Sequence, residues 1–272
     1  MCLLTFCFCA IIAKKGSEIS MSKSEIRSYL KNKVDVFYFD TIDSTNNEAK
    51  RKSSSLADTP LLFVSNHQSM GRGRLGRTFY SPNDTGLYMS LMLKADKNTQ
   101  DIVCMTTATA VCVTNAISKL CDVDPKIKWV NDIYISNKKV CGILCEAVTD
   151  PDSHKISGII IGIGINIKTT DFPAELENIA VSLGQAVDKN RLCALITDNI
   201  IDMYKDIQSR SFIEEYKRRS LVLGKKITYT ENGEAKQAKA LDIDNNGGLI
   251  IETEDGTKTL STGEITVRLK ND

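Results

Sequence analysis

Seven consecutive residues, Gly71-Arg72-Gly73-Arg74-Leu75-Gly76-Arg77, interleave three arginines with three glycines. Arginine carries a permanent charge and a planar fork that fits the oxygens of carboxylates and phosphates. Glycine opens backbone conformations closed to other residues and lets the main chain approach a ligand. The apolar run Leu61-Leu62-Phe63-Val64 precedes the loop, so a strand delivers it. The chemistry in view is the grip of an anion. Net charge over all 272 residues is +1, so this positive charge is local. Nothing in the overall charge points to broad attraction for nucleic acid or membrane.

Two further segments hold candidate chemistry. From Ile156 to Ile167 the chain alternates as a strand does. One face carries Ile159, Ile161, Ile163, Ile165 and Ile167, and the other Gly158, Ile160, Gly162, Gly164 and Asn166. The isoleucine face belongs to a core. The glycine face is bare backbone that something approaches closely, either a packed element or a flat ligand with Asn166 at its end. In the second segment Asn131-Asp132 opens a hairpin whose return strand starts at Lys138-Lys139, which brings Asp132 near Lys139. With His67 and His154 the only histidines and no C-x-x-C pair among nine cysteines, a zinc site is not expected. Buried reduced thiols are expected instead, as at Cys104, Cys141 and Cys145.

The elements that position these residues read as mixed α and β. Apolar content of 42% and charged content of 25% are those of a globular protein, and the length suits one large domain and one small. Ser22 to Asn32 reads as a capped helix and Val36 to Phe39 as a strand. Thr45-Asn46-Asn47-Glu48 fits a capping box opening a helix to about Lys52. Strands are expected over Leu61–Ser65, Gly86–Leu93, Ile127–Trp129, Ile133–Ile135 and Lys139–Val148, the last two joined by the tight turn Ser136-Asn137-Lys138. Asp101–Leu120 reads as a buried helix and Arg191–Arg219 as helix in two pieces. Beyond Leu223-Gly224 come short strands over 226–230, 236–243, 248–252 and 257–260. Asn232-Gly233, Asn245-Asn246-Gly247 and Asp255-Gly256 separate them, as in a small β-barrel. Residues 1–20 begin with an apolar stretch, Met1–Ala13, too short to span a bilayer. Its Lys14-Lys15 follows the stretch, unlike a signal peptide. A start at Met21, or a dispensable extension, is the expectation.

Read together, Ser44-Thr45-Asn46, Gln68, Gly71 to Arg77, Lys128-Trp129-Val130-Asn131-Asp132, Lys139 with Gly142-Ile143-Leu144, and Gly162 to Asn166 resemble, in order, the motifs of biotin–protein ligases. The resemblance covers roughly residues 35–270. It implies an α+β fold: a mixed-sheet catalytic domain with helices on one face, class II synthetase-like, over 21–223, and an SH3-like β domain over 224–272. It implies formation of biotinyl-5′-adenylate from biotin and ATP with Mg²⁺, then transfer to a lysine of a biotin carboxyl carrier domain.

By motif, Ser44, Thr45 and Asn46 would lie near the biotin rings and Gln68 would help close that site. Arg72, Gly73 and Arg74 would hold carboxylate and phosphates in a loop that orders on binding. Lys139, with Gly142, would sit beside the biotin carboxylate and α-phosphate. Arg77 and Asn166 would face the adenylate, and Phe79 would either stack on adenine or join the core. Asn131 and Asp132 would lie by the metal or the incoming lysine. Two departures stand out: Val130 where the family usually has proline, and Phe79 where some relatives have tryptophan.

The chemistry suits these residue types. Biotin's carboxylate is ionised at neutral pH, so adenylation needs charge stabilisation rather than a general base. The acceptor lysine is cationic at pH 7, and a carboxylate such as Asp132 could orient it or take its proton. A cytoplasmic enzyme follows, with no membrane partner and either monomeric or dimeric through a sheet edge. The 22 or so residues from Met21 to Asp43 leave no room for a helix-turn-helix, so sequence-specific DNA binding is not expected. Competing readings are a lipoate ligase or octanoyltransferase, a non-catalytic biotin or nucleotide sensor, and an RNA-binding module.

Overall fold

The computed structural model describes residues 20–231, 233–261 and 266–269. In chain order the first body runs α1 (Lys23–Tyr29), β1 (Asp35–Ile42), α2 (Thr45–Arg51), β2 (Leu61–Gln68), β3 (Gly86–Lys94), α3 (Thr99–Val103), α4 (Met105–Leu120), β4 (Lys126–Lys128), β5 (Asp132–Ile135), β6 (Lys138–Thr149), β7 (Ile156–Asn166), α5 (Lys189–Lys205) and α6 (Phe212–Arg219). Its strands form one sheet in the order β1-β2-β3-β7-β6-β5-β4. Only β1 and β2 are parallel; the other neighbours are antiparallel.

The two faces of this sheet have different tasks, and the two-residue period of a strand assigns side chains to them. Leu62 and Val64 of β2, Leu87, Met89, Leu91 and Leu93 of β3, and all five isoleucines at odd positions in 159–167 enter the main core with α1, α4 and α5. The opposite face holds a smaller cluster, Phe63, Met92, Ile160 and Ala49, beneath the short helix α2. The long helices therefore cover one face, and the other is left to α2 and the loops that carry the chemistry.

The second body is a five-stranded antiparallel sheet in the order β11-β10-β9-β8-β12: β8 (Lys226–Glu231), β9 (Glu234–Ile243), β10 (Leu249–Thr253), β11 (Gly256–Leu260) and β12 (Thr266–Leu269). Its turns sit at Gly233, Gly247 and Gly256, each with positive φ, the conformation glycine tolerates best. Asn232 lies outside the described residues. The fifth strand was not expected from the sequence; β12 lies at the edge of the sheet, paired with β8.

Local expectations fail in three places. The first helix stops at Tyr29, because Leu30 turns extended. The long helix expected from Asp101 is two helices that meet at Cys104. Thr45-Asn46-Asn47-Glu48 is not a capping box: Ser44 is the N-cap and makes no side-chain capping bond. Thr45 and Asn46 are turned into the cleft, and Glu48 pairs with Arg51 at 2.7 Å. The entry to α2 is fastened instead by Asp43, which accepts from Asn47 Nδ2 at 2.9 Å and from both outer nitrogens of Arg51 at 2.7 and 3.1 Å.

The thiols meet expectation. Five of the six described cysteines are buried, Cys145 is half-buried, and all are free. Burial pushes Cys112 and Cys193 up to about 12 and Cys145 up to about 11.

Glu215 on α6 accepts from Arg218 Nη2 and Arg219 Nε, each at 2.6 Å. Arg219, 7% exposed, also reaches Asn115 and Ser118 of α4 and the carbonyl of Pro125 just before β4. Arg218 first and Arg219 next, against burial, lower the Glu215 carboxyl from 4.5 to about 2. A folded value below the unfolded one gives stability that is present above about pH 4.5 and lost as pH falls toward 2. Thermal melts of Glu215→Gln should lie below wild type at pH 6 and converge with it near pH 2. A constant gap at every pH would refute the linkage.

Candidate functional site

The cleft is built on the glycine face of β7 and its neighbour β6. In register, Gly142 of β6 lies opposite Gly164 of β7, and Leu144 opposite Gly162. With no side chains there, other groups come down onto the backbone. A Cβ on Gly162 would stand 2.0 Å from Asn46 Oδ1, and one on Gly164 would stand 2.5 Å from the Phe79 ring. At both glycines neighbouring side chains approach the bare backbone closely. Those side chains are the candidate site residues Asn46 and Phe79.

At one end of the cleft sit Ser44, Thr45 and Asn46, all buried although polar. For Thr45 and Asn46 their partners explain the burial. Gln68, at the end of β2, accepts from Thr45 N at 2.9 Å and from Thr45 Oγ1 at 3.1 Å, and donates to Ser81 Oγ at 3.0 Å. Ser90 of β3 lies 2.6 Å from Asn46 Oδ1 and 2.7 Å from Thr45 Oγ1. Asn46 Nδ2 donates to Glu146 at 2.9 Å.

The arginine loop folds over this end as a narrow ladder. Phe79 N donates to Gly71 O at 2.9 Å and Gly73 N to Arg77 O at 2.8 Å, closing on a 3₁₀ turn over Arg74–Gly76. Positive φ falls on Leu75 and Gly76, not on Gly71 or Gly73. Gly71 is needed for closeness, since a Cβ there would lie 2.3 Å from Phe79 O. Arg72 forks onto Glu146, with nitrogens 3.2 and 3.1 Å from the two carboxylate oxygens, and also donates to Asn47 Oδ1 at 3.2 Å. Arg74 turns the other way and donates to Asn131 Oδ1 at 3.1 Å. The Arg77 side chain is exposed, and its backbone rather than its guanidinium takes part in the loop.

Midway along the cleft stands the hairpin pair. Lys139 Nζ meets Asp132 Oδ1 at 2.6 Å. That oxygen has no hydrogen-bond donor, so the contact is one of charge off the bonding axis. Lys139 Nζ also lies over Gly142, 3.1 Å from where a Cβ would be, with the Phe79 ring at 3.3 Å from the same point. Asn131 donates to Ile143 O at 2.8 Å, tying the turn before β5 to β6. Asn166 donates to Val181 O at 3.2 Å, so it anchors the 179–183 segment that runs beside Lys139. Val130, the departure from the usual proline, is held from the other side: its carbonyl accepts from Tyr216 Oη at 3.1 Å, and Trp129 Nε1 donates to Gly247 O of the second body at 2.9 Å.

Ser44, Thr45, Asn46, Gln68 and Arg72 are thus gathered at one end, and Lys139, Asp132, Gly142 and Phe79 at the middle, with Arg74 and Asn131 beyond them. Sequence reasoning missed Glu146, Lys50 and Ser90. The seven-residue motif loop holds the arginine, but its partner lies 74 residues on in a strand. A carboxylate on the glycine face of β6 was the one signal available.

A cleft floored by backbone and ringed by arginine, lysine and a carboxylate defines a protein that binds an anionic ligand against a mixed sheet. The comparisons narrow it. The model of the Biotin/lipoate A/B protein ligase family matches residues 37–166, and that of the Biotin protein ligase C terminal domain matches residues 222–268. The bifunctional ligase/repressor BirA of Bacillus subtilis is 34% identical over 270 residues, covering 94% of this chain and 81% of that protein. The biotin–[acetyl-CoA-carboxylase] ligase of Mycobacterium tuberculosis is 26% identical, covering 82% and 85%. Biotin protein ligase from Aquifex aeolicus, solved with biotin and ATP, superposes with a TM-score of 0.74 at 26% identity, covering 87% of this chain and 99% of that one. The chain belongs to the biotin–protein ligase family, and it is a ligase.

Proposed function

We propose that this chain joins biotin to ATP as biotinyl-5′-adenylate and then passes the biotinyl group to a lysine of a carboxylase carrier domain. The observation that carries this reading is the floor made of Gly142, Gly162 and Gly164, with Lys139, Asp132 and Phe79 over its middle, and Asn46 with Arg72 bridged by Glu146 at its end. In the first step biotin's carboxylate oxygen attacks the α-phosphorus of ATP and pyrophosphate leaves. Two anions must meet, and Arg72 and Lys139 supply the positive charge that lets them. Thr45 and Asn46 hold the ring end, Gln68 closes it, and Arg74 with Asn131 borders the nucleotide. In the second step the acceptor amine attacks the acyl carbon and AMP leaves, with Asp132 orienting the amine or taking its proton.

Asp132 also fits Mg²⁺. Its Oδ1 makes only the charge contact with Lys139 and no aligned hydrogen bond, and one carboxylate beside nucleotide phosphates suits an ion that keeps most of its waters. Among the described residues no cluster of three or more acidic, histidine or cysteine side chains offers a fuller cage. Bound there, Mg²⁺ would neutralise phosphate charge.

Phe79 supports adenine stacking: its ring lies flat-floored by Gly164 and Gly142 and meets Tyr88 edge-on at 6.4 Å. Stacking of a base on an aromatic ring is worth about 1–3 kcal/mol. Phe79→Ala should therefore raise the KM for ATP about tenfold with a smaller change for biotin. Equal changes for both would assign Phe79 to packing alone.

No helix among the described residues is long and apolar enough to cross a membrane. We place the enzyme in the cytoplasm and expect no sequence-specific DNA binding from this chain, which a promoter footprint would overturn. The division into bodies at residues 223/224 is likewise our proposal. The deciding assay combines protein, MgATP, labelled biotin and a carrier domain, with lipoate in parallel. Transfer of biotin is expected. Transfer of lipoate but not biotin would sink the reading, and biotin-dependent pyrophosphate exchange without transfer would point to a sensor.

A further inference from the structure

Glu146 is the most heavily engaged carboxylate in the cleft, and no catalytic step above uses it. It points from β6 to the same face as Gly142 and Leu144, opposite Ile160 of β7, and its side chain is 17% exposed. Oε1 meets Lys50 Nζ at 2.8 Å and Arg72 Nη2 at 3.1 Å. Oε2 accepts from Asn46 Nδ2 at 2.9 Å and Arg72 Nη1 at 3.2 Å. Burial by itself would raise this carboxyl, but Lys50 and Asn46, then Arg72, hold it below its ordinary value. It is an ionised group with both oxygens filled.

We infer that Glu146 is a positioning residue that sets Asn46 and Arg72 as one unit, so that recognition of biotin's ring and of its carboxylate depend on the same half-buried anion. This rests on the functional reading above. Asn46 uses its oxygen on Ser90; its amide nitrogen donates to Glu146 at 2.9 Å and makes a longer contact with Leu144 O at 3.4 Å, so Glu146 is the stronger of the two partners that aim it. Arg72 is a long side chain on an exposed loop, and among the described residues Asn47 Oδ1 is its other hydrogen-bond acceptor. A fork-to-fork contact removes most of its rotamer freedom before a ligand arrives.

Charge explains why a carboxylate can stand in a site for anions. Lys50 and Arg72 bring two positive charges against the one negative charge of Glu146. Lys50 offsets Glu146, and the field of Arg72 remains for the ligand. Lys50 thus contributes to anion binding through Glu146.

The test compares biotin with biotinol, which has the same rings and an alcohol in place of the carboxylate. Calorimetric titration of the whole chain, without nucleotide, measures both affinities. Hydrogen bonds to charged groups are worth about a tenfold change or more. Glu146→Gln keeps the shape and should weaken biotin about thirtyfold and biotinol about threefold, so the preference for biotin shrinks about tenfold. Lys50→Met should weaken biotin about threefold and leave biotinol unchanged. In the Arg72→Ala background, Glu146→Gln should erode the preference no further.

Equal losses for both ligands in Glu146→Gln would reduce Glu146 to a structural part and overturn the inference. An unchanged preference for biotin would overturn it too. If Glu146→Gln does not fold, Lys50→Met decides by the same comparison. Wild-type protein that does not bind biotin would overturn the functional reading instead.

Discussion

Lys139→Met should lower biotin-dependent pyrophosphate release about a hundredfold or more, the scale seen when one preorganised charge is removed from a developing anion. Methionine keeps the length and removes the charge. The backbone at this position will not follow the change. Lys139 N donates to Ile179 O at 2.8 Å, and Lys139 O accepts from Val181 N at 2.9 Å, so the strand is held here by the 179–181 segment as well as by its pairing with β5. The side chain crosses Gly142 and ends at Asp132, which puts the ammonium where carboxylate and α-phosphate must meet. Because that charge acts as the anions come together, the loss should fall mainly on kcat rather than on the KM for biotin. Arginine is no substitute, since its broad guanidinium would not fit between Gly142, Asp132 and the Phe79 ring. Activity of Lys139→Met within threefold of wild type, in protein with an unchanged melting temperature, would remove Lys139 from the mechanism.

Gly162→Val should cut biotin affinity about a hundredfold and leave most of the fold in place. The first added carbon would stand 2.0 Å from Asn46 Oδ1 and 2.8 Å from Asn46 Cγ, both closer than a Cβ comes to an unbonded atom. Asn46 must move, and it is a short side chain pinned at both ends, by Ser90 at 2.6 Å and by Glu146 at 2.9 Å. Displacing it breaks both contacts and pushes valine's methyls into the space for the ring. Overpacking of this kind costs about 1–3 kcal/mol of stability, which a melting curve will show. The contrasting variant is Gly158→Ala on the same face, whose added carbon would meet Leu56 at 2.7 Å, the end of a flexible apolar side chain away from the cleft. It should bind biotin normally. Equal effects from both positions would mean that the glycine face serves strand packing and not the ligand.

Much of this arrangement was legible beforehand because it is periodic or local. The odd-numbered isoleucines from 159 to 167 announce which face of β7 is core, and all five are buried there. Ser136 and Asn137 announce their turn, and both adopt positive φ. The spacing of Asp132 and Lys139 across that turn predicts their meeting, and they meet. The failures are equally local. Thr45 to Glu48 matches a capping box letter by letter, yet tertiary partners at Gln68, Ser90 and Glu146 outbid the backbone for those side chains. The glycines of the arginine loop suggest positive φ throughout, whereas Leu75 takes the strained position and Gly71 serves close contact.

The sequence by itself determined the inventory: an arginine–glycine loop, a strand with one bare face, a lysine and an aspartate joined by a hairpin, and the order of motifs that marks the family. These depend on residue type and short spacing, which chain geometry converts directly into position. Only the tertiary structure decided which groups share a place. Asn46 lies over Gly162, Phe79 over Gly164 and Glu146 under Arg72, and Trp129 is tied to Gly247. These pairings come from the register between β6 and β7, the seating of α2 on their glycine face and the docking of the second sheet. Each is settled by long-range packing, which leaves no period in the chain to read.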